Sequence, residues 1–164
     1  MKKIIKRSLQ VLAILLLMYA MYVIGYNVGH AKPSIAATES QPSLLTQIND
    51  IRKTKNLSQL IEDPTLDNTA LIKANDMAEK NYFEHDAPDG TKWSDFIQKN
   101  RPGSEHVGEN IAECFADNNS TIAGWIASPS HYKNMIESDW TKFGAATVWD
   151  DDKGCYLTVN HFSK

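Results

Sequence analysis

The sequence predicts an α+β domain behind an N-terminal transmembrane helix. The prediction rests on a basic, apolar N-terminus, on apolar residues at helical spacing through the chain's middle, and on two alternating runs at the C-terminus joined by an Asp/Lys/Gly turn. Helices first, an antiparallel hairpin last and no βαβ rhythm point to helices packed on a central antiparallel sheet.

Lys2, Lys3, Lys6 and Arg7 precede an apolar run from Val11 to Ile24, extendable to Leu9 and Tyr26. A cleavable signal carries an apolar region of about 7–15 residues and a spanning helix needs about 20, so this segment falls between the two. Small residues at Gly29-His30-Ala31 and Ser34-Ile35-Ala36 offer cleavage sites. The favoured expectation is an uncleaved anchor with its basic end in the cytoplasm and the C-terminal domain outside; secretion after signal cleavage is the alternative. Residues 1–31 are thus anchor or signal. Residues 32–43, "KPSIAATESQPS", read as a linker, and 44–164 suffice for one domain with one core.

Leu44, Leu45, Ile48 and Ile51 predict a helix over 44–55, ended by Asn56-Leu57-Ser58. Asp63-Pro64 has the cap-then-proline order of a helix start, and Leu66, Ala70, Ala74, Met77 and Ala78 continue a stripe to Lys80. "NYFEHDAPDG" then predicts a loop, Trp93, Phe96 and Ile97 a short helix, and Gly108 to Cys114 a strand. Ser120 is the expected cap of a further helix carrying Ile122, Trp125 and Ile126 inward, and Ser128-Pro129 starts another. Phe143, Ala145, Thr147 and Trp149 alternate, as do Cys155, Leu157, Val159 and His161. Asp150-Asp151-Asp152 between them reads as a hairpin tip rather than a calcium site.

Of 164 residues, all 20 acidic ones lie beyond residue 32 but only 12 of the 17 Lys and Arg do, leaving that part at −8. Nucleic acid is not an expected partner, since no basic stripe with interleaved aromatics exists to neutralise phosphates. Cys114 and Cys155 both fall in the exported part, where an oxidising compartment allows a disulfide; two buried free thiols are the alternative.

His131 falls in the first turn of the helix begun by Ser128-Pro129, where free N–H groups and the helix dipole disfavour an imidazolium. A neutral imidazole there could accept a proton or bind a metal. His85 stands in the loop after a rigid helix and Glu109 at the mouth of a strand. Two histidines and a carboxylate are the ligand types of an open zinc site, although no local spacing rule groups them. His161 reads as structural and His106 as exposed. The four tryptophans are too dispersed to form a carbohydrate platform and read as packing.

In order, "LLTQINDIRKTKNL", "LIKANDMAEKNYFEHDAPDG", "GENIA", "WIASPSHYKNM" and the final hairpin resemble the CAP superfamily of cysteine-rich secretory, antigen 5 and pathogenesis-related proteins, and most of all its bacterial branch. The resemblance spans nearly all of 44–162. It implies a three-layer α-β-α sandwich with a surface cleft, which in animal and plant members gathers two histidines and two glutamates and in some binds zinc. His85 matches the first histidine and Glu109 the first glutamate. The second glutamate falls on Ser128 and the second histidine on Cys155 or Tyr156, so half of that tetrad is missing. In the bacterial variant His131, after Ser130 in place of glycine, would lie near the same cleft. His85, Glu109 and His131 are therefore the expected catalytic or metal-ligating residues, with no cofactor required and Zn2+ as the conceivable one.

A surface-displayed module binding a peptide, glycan or lipid is the leading functional expectation, since a family resemblance carries fold better than activity. A zinc-dependent hydrolase using the same cleft is the alternative. A serine hydrolase built from Ser128, His131 and Glu109 is disfavoured, because Ser128 is better employed as a helix cap. No Gly-x-Ser-x-Gly elbow, phosphate-binding glycine loop or His-Glu-x-x-His helix occurs.

Overall fold

The computed structural model describes residues 42–104 and 106–164. The expected transmembrane segment and all but the end of the linker lie outside these residues. Helix α1 (Leu44–Thr54) is followed by β1 (Ile61–Glu62), α2 (Pro64–Glu79), α3 (Trp93–Gln98), β2 (Val107–Glu113), α4 (Asn118–Ala127), α5 (Pro129–Met135), β3 (Lys142–Asp150) and β4 (Cys155–Ser163).

The strands form one sheet in the order β1-β3-β4-β2. β4 runs antiparallel to both neighbours, but β1 is parallel to β3, so the sheet is mixed where a purely antiparallel one is predicted. β1 is too short to show a period: Ile61 N–H donates to Thr141 O and Asp63 N–H to Phe143 O, a pairing created by the chain's entry into α2. One apolar cluster, including Met77, Ile111, Leu157 and Val159, lies between the sheet and α2 and α3. A second, including Ile48, Trp125, Met135, Trp140 and Phe162, lies between the opposite face and α1, α4 and α5. These are the three expected layers. They explain why β4 buries residues on both faces, Thr158, Asn160 and Phe162 as well as Leu157, Val159 and His161.

Asp63 caps α2 by accepting from Thr65 N–H, with Pro64 at the first helical position. On α1 the buried stripe is Leu44, Ile48 and Arg52. The Arg52 guanidinium donates to the carbonyls of Ser58, Met135 and Glu137, fastening α1 to the end of α5. α4 begins earlier than predicted: Asp117 is its N-cap and Ser120, the expected cap, sits three residues later in a reciprocal capping box. Ser128 ends α4 and begins α5 with extended backbone, but its side chain makes no capping bond.

Gly144 decides how closely α2 approaches the sheet. A Cβ there would stand 2.3 Å from the Leu66 carbonyl carbon and the Asp67 nitrogen, so the first turn of α2 rests on bare backbone. Asp67 seals this contact by accepting from Ala145 N–H.

Cys114 and Cys155 are bonded, joining the end of β2 to the start of β4. Asp150 is buried at the hairpin tip, where its Oδ1 accepts from the N–H groups of Asp152 and Lys153.

Candidate functional site: a carboxylate between two histidines

Glu109 lies on β2 directly across from His161 on β4, both turned toward α2. His161 is fully buried, and its Nε2 stands 3.1 Å from Glu109 Oε2. Its Nδ1 meets the Thr69 hydroxyl at 2.8 Å, and that hydroxyl also reaches Leu66 O. Turning the hydroxyl toward Leu66 or toward His161 lets Nδ1 donate or accept, so the ring is satisfied with either one proton or two. Glu109 Oε1 carries the other partner, His85 Nδ1, at 2.6 Å. A carboxylate with 1% of its side chain exposed is thus clasped between a buried histidine and one that is 48% exposed.

Burial alone would push the Glu109 carboxyl up, but hydrogen bonds to His161 and His85, with Lys73 nearby, hold it below the usual range. The same hydrogen bond raises His85 above the ordinary imidazole value, against the effect of its partial burial. Lys73, on the inner face of α2, is fully buried. It donates to Tyr82 Oη and to the carbonyls of Glu84 and His85, and so holds the loop that carries His85. Tyr82 passes the chain on to Asp76 at 2.6 Å.

α5 forms the other wall. Asn134 Nδ2 donates to Glu109 O and Asn110 Oδ1, Asn110 Nδ2 donates to His131 O, and Trp125 Nε1 donates to Ile111 O. These bonds occupy the outer edge of β2 and fix the start of α5 beside it. A cleft of about 280 Å³ lies between the walls, lined by His85, Trp93, Glu109, Ser130, His131 and Asn134 among others. His131 therefore shares the cleft with His85 and Glu109. Its imidazole is held below the ordinary value mainly by burial and secondarily by His85.

The three expected residues line one cleft but do not form a metal centre as arranged. Zinc needs three or four donor atoms about 2 Å from a common point. Among the described residues no three His, Cys, Asp or Glu side chains are grouped so as to hold an ion. Both Glu109 oxygens and both nitrogens of His161 already carry hydrogen bonds. The serine arrangement also fails: Glu109 orients His85 rather than His131, and Ser128 Oγ faces Ser130 Oγ at 3.3 Å.

A sequence profile of the cysteine-rich secretory protein family matches residues 45–161. The chain belongs to this CAP family. Two curated relatives from Bacillus subtilis (strain 168) are each 31% identical: YkwD, over 72% of this chain and 45% of its own length, and the membrane protein YlbC, over 65% and 31%. The chain thus spans less than half the length of either. Among solved structures, an outer surface protein of Borrelia burgdorferi is 28% identical with a TM-score of 0.68, over 74% of this chain and 89% of that one. An extracellular SCP-domain protein of Bacillus anthracis is 31% identical with a TM-score of 0.65, over 74% and 39%.

Sequence reasoning missed three members of the CAP cleft's support. His161, read from the sequence as structural, is buried near the end of β4 and bonds the carboxylate of Glu109 from beneath. The signal was present: its alternation with Leu157 and Val159 put an imidazole at an inward position, where it must find polar partners. Thr69 and Lys73 lie one residue before Ala70 and Ala74 of the predicted stripe and share the buried face of α2.

Proposed function

We propose that this CAP protein is displayed outside the cytoplasm on a membrane anchor and holds a ligand in the His85–Glu109–His131 cleft without turning it over. The observation that carries the binding reading is the state of the clasp. Glu109 is buried and doubly bonded, and no hydroxyl or thiol among the described residues pairs with His85 or His131 as a nucleophile would. Glu109 holds His85 by Nδ1, which fixes the ring and presents its other edge to a ligand in the cleft. The extracytoplasmic part of the reading is supported by the Cys114–Cys155 bridge, the apolar N-terminus, and the extracellular and membrane descriptions of relatives.

The test exposes the full-length chain and its His85→Ala variant to lipid, peptide and polysaccharide fractions of a bacterial envelope, reading retention and product release together. Expected is retention by one fraction that is lost in His85→Ala, with no product formed by either. Release of product by the wild type alone would overturn the binding reading in favour of hydrolysis, and sensitivity of that release to chelator would make it metal-dependent.

A further inference from the structure

We infer that the ligand is a neutral glycan and that Trp93, which lines the cleft by itself rather than as one of a set of tryptophans, is the platform on which a sugar ring stacks. This rests on the binding reading above. The cleft does not end at His85: a second hollow of about 470 Å³, lined by Glu84, His85, Asp86 and Trp93, shares His85 and Trp93 with the first. One groove therefore runs from Ser130 and His131 over the His85 edge to the indole of Trp93. That indole is half-buried at the start of α3, where Asp86 accepts from Trp93 N–H at 3.1 Å and pairs with Lys92 at 2.7 Å.

The lining argues against the other ligand classes in turn. No Arg or Lys lines either hollow, and the charge on His85 is matched by Glu109 beneath it, so a phosphate or sulfate finds no clamp. Val107 is the one aliphatic side chain along the groove among the described residues, too little to hold an acyl chain. A peptide that binds by strand addition needs a free sheet edge. Here the outward carbonyls of β2 at Glu109 and Ile111 are already taken by Asn134 and Trp125. What the groove offers is the His85 ring edge, the His131 ring, the Ser130 hydroxyl, the Glu84 and Asp86 carboxylates and the Trp93 indole. Hydrogen-bonding groups of this kind beside an aromatic plane complement a pyranose, which carries hydroxyls around its rim and an apolar C–H face, and the carboxylates favour an uncharged sugar over an anionic one.

The full-length chain, Trp93→Ala, Trp93→Phe and His85→Ala, each shown to be folded by circular dichroism, would be titrated with the linear tetramers of glucose, mannose, galactose and N-acetylglucosamine. The readout is saturation-transfer NMR. Saturable binding to at least one tetramer is expected, weakened about tenfold in Trp93→Ala and about threefold or less in Trp93→Phe. Binding that is indifferent to Trp93→Ala would overturn the platform, and absence of binding to all four sugars would overturn the glycan. Tetra-alanine or phosphatidylglycerol vesicles, tested alongside, separate the two readings. Binding of either that depends on His85, without sugar binding, would overturn the glycan while leaving the module intact; no His85-dependent binding of any probe would count against both.

Discussion

At the scale of single residues, the site is organised by the conflict between burying a carboxylate and keeping it ionised. Glu109 escapes the conflict because each oxygen has its own imidazole. Replacing it by Gln removes the charge while preserving shape, so His85 should titrate closer to its ordinary value. Following the His85 ring signals by NMR against pH checks this, and an unchanged midpoint in Glu109→Gln would show that Glu109 does not raise it. His161→Phe tests the buried side of the clasp. It strands Glu109 Oε2 without opening the cleft, while the Thr69 hydroxyl keeps its bond to Leu66 O, and should lower stability by about 2–4 kcal/mol in denaturant unfolding. A loss well below 1 kcal/mol would mean that water or a rearranged Thr69 substitutes freely.

At the scale of elements, the cleft depends on how tightly α2 and α5 are held to the sheet. Gly144→Ala would force the first turn of α2 off β3, carrying Thr69 away from His161. The expected cost is about 3 kcal/mol, at the upper end of the usual overpacking range, because backbone atoms are struck rather than a movable side chain. Asn134→Ala should leave α2 untouched and instead loosen α5, at about 2 kcal/mol, with faster amide exchange in α5 as the readout. The elements themselves were legible in the sequence wherever a period or a cap announced them: α2 from Asp63-Pro64, α5 from Ser128-Pro129, the hairpin from its alternation. β1 was not, since two residues carry no period. The clasp was half legible. His85 and Glu109 lie in recognisable segments, whereas His161 meets Glu109 only through a strand register that pairs residues 109 and 161, which no local pattern encodes.

At the scale of the whole molecule, the His85–Glu109 pair links stability to pH. His85 has a raised pKa in the folded state, so its contribution is complete below its ordinary value of about 6.5 and disappears as pH climbs through the higher folded value. Glu109 has a lowered one, so its contribution is complete above about 4.3 and disappears as pH falls through the lower folded value. His131 acts in the opposite sense to His85, because its depressed folded pKa makes the fold resist a proton that the unfolded chain accepts below about 6.5. The pair's own effect is therefore read as the difference between thermal unfolding of the wild type and of Glu109→Gln. That difference should be widest near pH 5–6 and shrink toward pH 8; a difference constant across this range would argue against the linkage.

The Cys114–Cys155 bridge closes a loop of 41 residues in sequence, worth up to about 4 kcal/mol in the chain-entropy picture, and reduction should lower the denaturation midpoint accordingly. That loop contains all of α4, α5 and β3, and with them the wall that carries His131. On the extracytoplasmic reading proposed above, this has a separate meaning. A cut at the exposed residues Ala116 or Asp151 would leave the two fragments covalently joined, with their hydrogen-bonded partners still in register. The nicked protein would migrate as one band without reductant and as two with it, and could keep an intact cleft through damage that would detach that wall from an unbridged chain.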